Sequence, residues 1–321
     1  MKSLEVSFQS KPLYPQAAAH APSHQLELRL WLPDGSGHQG DGPTRPGEIA
    51  ILLHGFLEGV EPERRRWQRW LKRYEHIAGE LASRNIASVL LPMPLHFERG
   101  EGLQVEGQEP AAVRQLRKNG SFLYFGGYDQ LKHDISELAR RISEDPEHFH
   151  LGKRPKIHLV GYSLGGAAAM GAATAEERGR FASLSILFSN WGLASISKES
   201  VAAAFGKRGF GEDDWGRTMS QLQASRESFD EGFRAIIWGE GSSKWFARFP
   251  KRVLFVHGLM DKIFPFRQTL DSSRAFFLHF QEAMQSGNLE CVFINSSQDH
   301  LFLRRREQIA GFVASFVGCE C

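Results

Sequence analysis

Five short, largely apolar runs restrict the folds that this chain can adopt. They are residues 49–53, 87–91, 157–160, 184–188 and 253–256. Such runs are typical of strands covered on both faces, as in parallel sheets. Helical periodicity lies between them, as over residues 129–143, where Leu131, Ile135 and Leu138 share one face. We therefore predict an α/β fold with a mostly parallel central sheet and helices on both faces.

Other patterns complete the predicted order of elements. Alternation over residues 25–32 predicts a half-exposed strand, and residues 291–294 predict a further apolar strand. Helices are predicted near residues 67–83, 129–143, 267–285 and 301–316. Two segments interrupt the alternation: residues 95–127, a long Gly-rich excursion, and residues 192–250, a set of mixed short helices.

The composition excludes several classes of protein. The 321 residues are 41% hydrophobic and 24% charged, which is a globular composition. The net charge of +2 is too small to create an electrostatic field that would attract nucleic acid or an anionic membrane. No stretch has the run of apolar residues that spans a bilayer, and the N-terminus lacks the apolar core of a signal peptide. The cysteines, Cys291, Cys319 and Cys321, imply no disulfide framework. We expect a cytoplasmic protein.

One basic run, residues 64–73, has two interpretations. It is either the solvated face of an amphipathic helix whose tryptophans and leucine pack inward, or a patch that binds an anionic ligand.

The sequence Gly161-Tyr162-Ser163-Leu164-Gly165 lies between an apolar run and a stretch of small residues. This order predicts a strand, a tight turn and a helix, with Ser163 exposed on the turn as a nucleophile. Gly161 and Gly165 suit the turn because a side chain at either position would crowd it.

The other strand ends also carry reactive side chains. Ligands bind at the carboxyl ends of the strands in a parallel sheet. His54-Gly55-Phe56 follows the first apolar run, Asp261 lies in the loop after residues 253–256, and His300 follows residues 291–294. A serine, an acid and a histidine are thus expected at one edge of the sheet.

These segments together resemble the α/β-hydrolase superfamily over most of residues 25–316, excluding 95–127 and 192–250. The resemblance implies a triad in which Ser163 is the nucleophile, His300 the base, and Asp261 the acid that orients the imidazole. It also assigns the oxyanion hole to the backbone N–H groups of Phe56 and Leu164.

Two other positions for the acid are less suitable. Asp299 is adjacent to His300 along the chain and is poorly placed to face its Nδ1 atom. Some relatives carry the acid near the position of Asn190, where this chain has no carboxylate.

Several histidines lie outside the proposed triad. His54 is expected to bond the backbone of its loop. His96, His148, His150 and His158 show no metal spacing with acids or thiols, so we expect no metal and no cofactor.

The chain departs from many relatives after residue 91, where it has Pro92-Met93-Pro94 instead of a Gly-His-Gly-x-Ser turn. His96 and Glu98 either line the pocket or belong to a surface loop.

Residues 1–190 and 251–321 are predicted to form the hydrolase core, with residues 191–250 as a lid over the nucleophile. The lid segment and its edge are rich in aromatic residues. They are Trp191, Phe205, Phe210, Trp215, Phe229, Phe233, Trp238, Trp245 and Phe246. Most are expected to pack the lid's own core and dock it to the sheet, and a few to line a pocket for an apolar acyl or alcohol group.

The predicted function is that of a serine carboxylesterase acting on a small-molecule ester through an acyl-enzyme, with thioester and amide substrates also open. Two alternatives are an acyltransferase that uses the same triad and a non-catalytic binding protein on the same fold. Dehalogenase and epoxide-hydrolase chemistry is disfavoured, because those relatives have an aspartate at the position of Ser163.

Overall fold

The computed structural model describes most of the chain. The described residues are 1–13, 25–34, 45–56, 58, 64–97, 111–175, 180–188, 198, 210–240, 242–258, 278, 281, 282, 284, 285, 290–296 and 306–318.

Eight strands form one sheet, in the order β1-β2-β4-β3-β5-β6-β7-β8. The strands are β1 (Lys2–Gln9), β2 (Gln25–Leu32), β3 (Glu48–Leu53), β4 (Ala87–Leu91), β5 (Lys156–Tyr162), β6 (Phe181–Leu187), β7 (Arg252–Gly258) and β8 (Glu290–Ser296). Strands β3 to β8 pair in parallel, whereas β2 pairs antiparallel with β1 and β4. The prediction of a mostly parallel sheet is confirmed.

The helices follow the predicted alternation. They are α1 (Arg64–Ala82), α2 (Ala111–Lys118), a π-helix (Leu123–Asp129), α3 (Gln130–Glu144), α4 (Leu164–Ala175), α5 (Glu212–Ala224), a 3₁₀-helix (Arg226–Ser228), α6 (Glu231–Trp238), α7 (Ser243–Phe246) and α8 (Arg306–Val317). Most of the helix predicted over residues 267–285 lies outside the described residues.

The sheet has a hydrophobic core on each face, as the alternation of side chains along β3 shows. Ile49, Ile51 and Leu53 belong to one cluster, together with side chains of α3 and α4. Ala50 and Leu52 belong to the other, with side chains of α1 and α8. The helices therefore cover both faces, as predicted.

The segment at residues 95–127 is not an unstructured excursion where it is described. Ala112, Val113 and Leu116 are buried and give α2 its apolar face. A π-helix follows directly, and π-helices are rare in proteins and common near functional sites. The prediction missed both elements because it took the glycines as loop signals.

The described part of residues 192–250 consists of short helices, as predicted. Its buried aromatic side chains belong to the same hydrophobic cluster as the buried aliphatic side chains of α3 and α4. They are Phe210, Trp215, Phe229, Phe233, Trp245, Phe246 and Phe249. Trp191 and Phe205 lie outside the described residues. The insertion thus shares its core with one face of the sheet.

Among the helices that the structure describes, none is long and apolar enough to cross a membrane.

Candidate functional site

Ser163 occupies the turn between β5 and α4. Its φ is 52°, a left-handed conformation that is uncommon for a residue other than glycine. The Ser163 N–H donates to Leu187 O at 2.9 Å, and its carbonyl accepts from the N–H groups of Gly166 and Ala167 at 3.0 and 3.2 Å. The turn predicted from the sequence is therefore present and held by backbone hydrogen bonds.

The glycines on either side of this turn have no room for a side chain. A Cβ on Gly161 would lie 2.5 Å from Gly165 O, and a Cβ on Gly165 would lie 2.5 Å from His54 O and 2.8 Å from the carbonyl carbon of Leu53. All three distances are far below normal contact, so the steric reason predicted for these glycines is confirmed.

The serine is more accessible than its neighbours. Tyr162 and Leu164 are 2% and 6% exposed, whereas Ser163 is half-buried. It lies at the carboxyl end of β5, next to β3, where the strand order of the sheet reverses. Ligands bind at such a switch point in open parallel sheets.

The loop after β3 passes directly beside the serine. A Cβ on Gly55 would lie 3.1 Å from Ser163 Cβ and 2.8 Å from Tyr162 Cε1. The next residue, Phe56, is half-buried and belongs to the edge of the main hydrophobic cluster. The structure therefore brings Phe56, Ser163 and Leu164, three of the predicted site residues, to one place.

His54 fixes this loop to its neighbours. The fully buried ring donates from Nδ1 to Gly55 O at 2.8 Å, and its Nε2 accepts from the Met93 N–H at 2.8 Å. These partners assign the neutral tautomer with the proton on Nδ1. His54 bonds loop backbone, as expected from the sequence.

His96 does not lie on a surface loop. Its ring is 1% exposed, lies 5.1 Å from the ring of His54 and 5.4 Å from that of Phe56, and bonds Pro94 O through Nδ1 at 2.7 Å. Leu95 and Phe97, on either side of it, have positive φ angles of 64° and 49°. This segment is buried and packs against the loop after β3. Glu98 lies outside the described residues.

Arg73 corrects the interpretation of the basic run. It is 1% exposed and forms an ion pair with Glu58, so it belongs neither to a solvated face nor to a surface patch. The sequence carried a signal for this burial. Arg73 lies three residues after Trp70 and four before Ile77, on the apolar stripe of α1.

The other two residues of the predicted triad, Asp261 and His300, lie outside the described residues, as does Asn190. Strands β7 and β8, which precede Asp261 and His300 along the chain, are described. The parallel register of β7 and β8 pairs His257 with Asn295 and Gly258 with Ser296. Both strands thus end at the same edge of the sheet as β5.

The π-helix borders the candidate oxyanion residue Leu164. A Cβ on Gly127 would lie 3.3 Å from Leu164 Cδ2. Tyr124 of the π-helix packs against Phe229 and Phe233 of the insertion, with ring centroids 4.6 and 4.8 Å apart. Burial first, and then the charge of Asp230, raise the pKa of the Tyr124 phenol to about 12. Tyr124 is therefore neutral and joins the insertion to the core.

Across the described ranges, no group of three or more His, Cys, Asp or Glu side chains is arranged to hold a metal ion.

Comparisons with known proteins find a shared fold at low sequence identity. No protein-family model and no curated protein matches it. The esterase domain of a Rhodothermus marinus protein aligns with 99% of this chain and 96% of its own length, at 15% identity and a TM-score of 0.51. A Xanthomonas campestris protein, described as a serine hydrolase without a lid, aligns over 99% and 94%, at 14% identity and a TM-score of 0.53. A Pyrococcus furiosus esterase aligns over 98% and 91%, at 11% identity and a TM-score of 0.54.

Proposed function

The chain has the α/β-hydrolase fold, and from that premise we propose that it is a serine hydrolase that cleaves carboxylic esters through an acyl-enzyme. The observation that carries this proposal is the backbone of Ser163. A non-glycine residue with a φ of 52°, half-buried on a strand-to-helix turn, is the arrangement that presents a serine as a nucleophile. The esterases among the structural neighbours support the same reaction class.

The proposed chemistry uses Ser163, His300 and Asp261. His300 takes the Ser163 proton as Oγ attacks the ester carbonyl carbon, and it then returns that proton to the alcohol as the C–O bond breaks. A water molecule next attacks the acyl-enzyme by the same proton route and releases the carboxylic acid. Asp261 orients the imidazole and stabilises its protonated form.

We assign the oxyanion hole to the backbone N–H groups of Phe56 and Leu164. Two observations support this assignment. Gly55 packs against Ser163, so Phe56 is the next residue along the loop beside the nucleophile. Leu164 is the first residue of α4, and the first N–H groups of a helix have no acceptor within the helix. The N-terminus of α4 also favours negative charge.

We also propose that residues 191–250 form a lid that lines an apolar acyl pocket. Helix α6 packs on α4, and Trp245 Nε1 donates to Thr174 Oγ1 of α4 at 3.0 Å. The rings of Phe56, Phe125 and Trp238 are half-buried at the edge of the same core, and we propose that they line this pocket.

A series of p-nitrophenyl esters tests the apolar pocket. We expect kcat/KM to rise from acetate to hexanoate, because each buried CH₂ contributes about 0.8 kcal/mol. A preference for acetate with no gain along the series would contradict the pocket.

The proposed reaction is tested by labelling with a fluorophosphonate, which reacts with an activated serine. We expect the folded wild-type protein to be labelled and Ser163→Ala not to be labelled. Ser220→Ala, at an exposed serine of α5, is the matched control and should label as the wild type does. His300→Ala and Asp261→Asn should lower kcat by about 10³-fold or more. Folded wild-type protein that resists labelling would overturn the proposal.

A further inference from the structure

A buried ion pair lies between the loop after β3 and helix α1. The Glu58 and Arg73 side chains are 5% and 1% exposed, and Arg73 Nη1 donates to Glu58 Oε1. The other carboxylate oxygen, Oε2, accepts from the Tyr74 hydroxyl at 2.6 Å and from the Gly55 N–H at 3.2 Å. The Glu58 carboxylate therefore ties the backbone of the candidate oxyanion loop to α1.

The Arg73 guanidinium also lies against the residue that precedes the candidate nucleophile. Its guanidinium carbon lies 4.5 Å from the centroid of the Tyr162 ring and 5.5 Å from that of Trp70. Such stacking is an attractive cation–π arrangement. Tyr162 immediately precedes Ser163, and its ring would lie 2.8 Å from a Cβ on Gly55. The Tyr162 ring thus contacts both the cation and the oxyanion loop.

Burial and the charges of this network determine the protonation of Arg73 and Tyr74. Burial works to lower the pKa of Arg73, but the Glu58 carboxylate, followed by Tyr162 and Tyr74, raises it overall, so the guanidinium is charged. Burial first, and then the Glu58 charge, raise the pKa of Tyr74 well above its usual range. The Tyr74 hydroxyl therefore stays protonated and remains a donor.

A gain in stability does not by itself explain why these two positions hold a buried ion pair. Removing two charges from water costs several kcal/mol per ion, and apolar residues of similar volume often give an equally stable core. What apolar residues cannot supply is an acceptor for the Gly55 N–H and a cation over the Tyr162 ring. Both of these contacts lie next to residues of the candidate site.

Resting on the function proposed above, we propose that Glu58 and Arg73 are positioning residues. The pair joins Gly55, which precedes the oxyanion donor Phe56, to Tyr162, which precedes the nucleophile Ser163. It thereby holds the donor and the nucleophile at the separation that the reaction requires.

The experiment compares Glu58→Gln and Arg73→Lys with the wild type in steady-state ester hydrolysis and in inhibition by an alkyl boronic acid. The boronic acid forms a tetrahedral adduct with the serine and so probes the oxyanion hole. Losing one oxyanion donor costs about 10²–10³-fold, so displacing one should lower kcat by about 10- to 100-fold. We expect KM to stay within about twofold and the inhibition constant of the boronic acid to rise in parallel with the loss in kcat.

Glu48→Gln is the matched control. Glu48 begins β3, whereas Glu58 follows its other end, and Glu48 also lies beside basic side chains, those of Lys156 and His158. This variant should lower the free energy of unfolding while leaving kcat and the boronic-acid inhibition constant unchanged.

Wild-type kcat and inhibition constants in both Glu58→Gln and Arg73→Lys would overturn the positioning role. An equal loss of kcat in Glu48→Gln would also overturn it, because the effect would then follow stability alone. Should Glu58→Gln fail to fold, Tyr74→Phe removes one bond to the same oxygen, and unchanged kinetics in it and in Arg73→Lys would overturn the proposal. Failure of the proposed function is distinguishable, since the wild type itself would then resist the fluorophosphonate.

Discussion

At the scale of single residues, the backbone of Ser163 is held in a conformation that its own side chain disfavours. A left-handed conformation at a non-glycine residue costs roughly 1–3 kcal/mol and persists only where the surroundings enforce it. Here the hydrogen bond to Leu187 O and the close contact of Gly165 with Leu53 and His54 enforce it. The neighbours of the serine are therefore as constrained as the serine itself.

Gly165→Ala tests this constraint. The new Cβ would overlap the backbone of His54, and backbone atoms move less readily than side chains. We expect the free energy of unfolding to fall by about 2 kcal/mol, or more if the backbone cannot shift, and labelling of Ser163 to slow. Urea denaturation and fluorophosphonate kinetics measure the two effects.

Gly79→Ala is the control for Gly165→Ala. Gly79 lies within α1, and outside the backbone of that helix no atom of the described residues lies within 4 Å of the position of its Cβ. Alanine is the better helix former by about 1 kcal/mol, so this variant should be more stable than the wild type. Equal stability of Gly165→Ala and the wild type would contradict the interpretation of the turn.

At the scale of elements, polar contacts join the amino ends of three neighbouring strands. Glu48 of β3 lies 3.0 Å from Lys156 Nζ and 3.5 Å from His158 Nε2, both on β5. His158 Nδ1 lies 2.8 Å from Ser183 Oγ on β6. The contact with His158 is the largest influence on the Glu48 carboxyl; together with Lys156 it outweighs burial and lowers the pKa of Glu48 from 4.5 to about 2.

This pKa predicts how acid acts on the protein. Because the pKa of Glu48 is lowered in the folded state, its contribution is complete above pH 4.5 and disappears as the pH falls towards 2. Glu48→Gln should therefore be less stable than the wild type by about 1 kcal/mol at pH 7, a small value because the carboxylate is partly exposed. The difference should vanish near pH 2. Urea titrations at several pH values measure it, and a difference that is independent of pH would contradict the prediction.

At the scale of the whole molecule, the insertion after β6 and the sheet share one hydrophobic cluster. Trp215 and Trp245 of the insertion are 7% and 2% exposed and belong to the same cluster as Ile49 and Leu53 of β3. Thr174 Oγ1 accepts from Trp245 Nε1 and donates to Met170 O. The described helices of the insertion therefore pack into the same core as the sheet.

We expect the protein to unfold in one transition as a result. Tryptophan fluorescence and far-UV circular dichroism should give coincident urea curves, because the shared core couples the insertion to the sheet. Trp245→Phe should lower the midpoint by an amount equivalent to about 1–3 kcal/mol without separating the curves, since it removes a buried hydrogen bond and part of a ring. An earlier fluorescence transition would show that the insertion unfolds alone.

The predictability of this fold follows from where its strands lie. Strands β3 to β7 are covered on both faces, so each is a nearly continuous apolar run that predicts a strand. Strand β1 was missed, although its buried Val6 and Phe8 alternate with exposed residues. The π-helix was missed because glycines such as Gly126 and Gly127 resemble loop residues.

The candidate site was predictable in part. Ser163 and its flanking glycines were found because steric limits on a tight turn act between residues close in sequence. The Glu58–Arg73 pair depends on a contact between a loop and a helix, which local patterns do not encode. The roles of Asp261 and His300 remain predictions.

Positive φ angles at non-glycine residues recur where strands end at the candidate site. Ser163 and Phe188 follow β5 and β6 directly, with values of 52° and 49°. Glycine or asparagine would relax such a backbone, but at position 163 either would remove the hydroxyl. A library of variants selected for heat resistance alone should therefore be enriched in replacements of Ser163, and its most heat-resistant members should be inactive as enzymes.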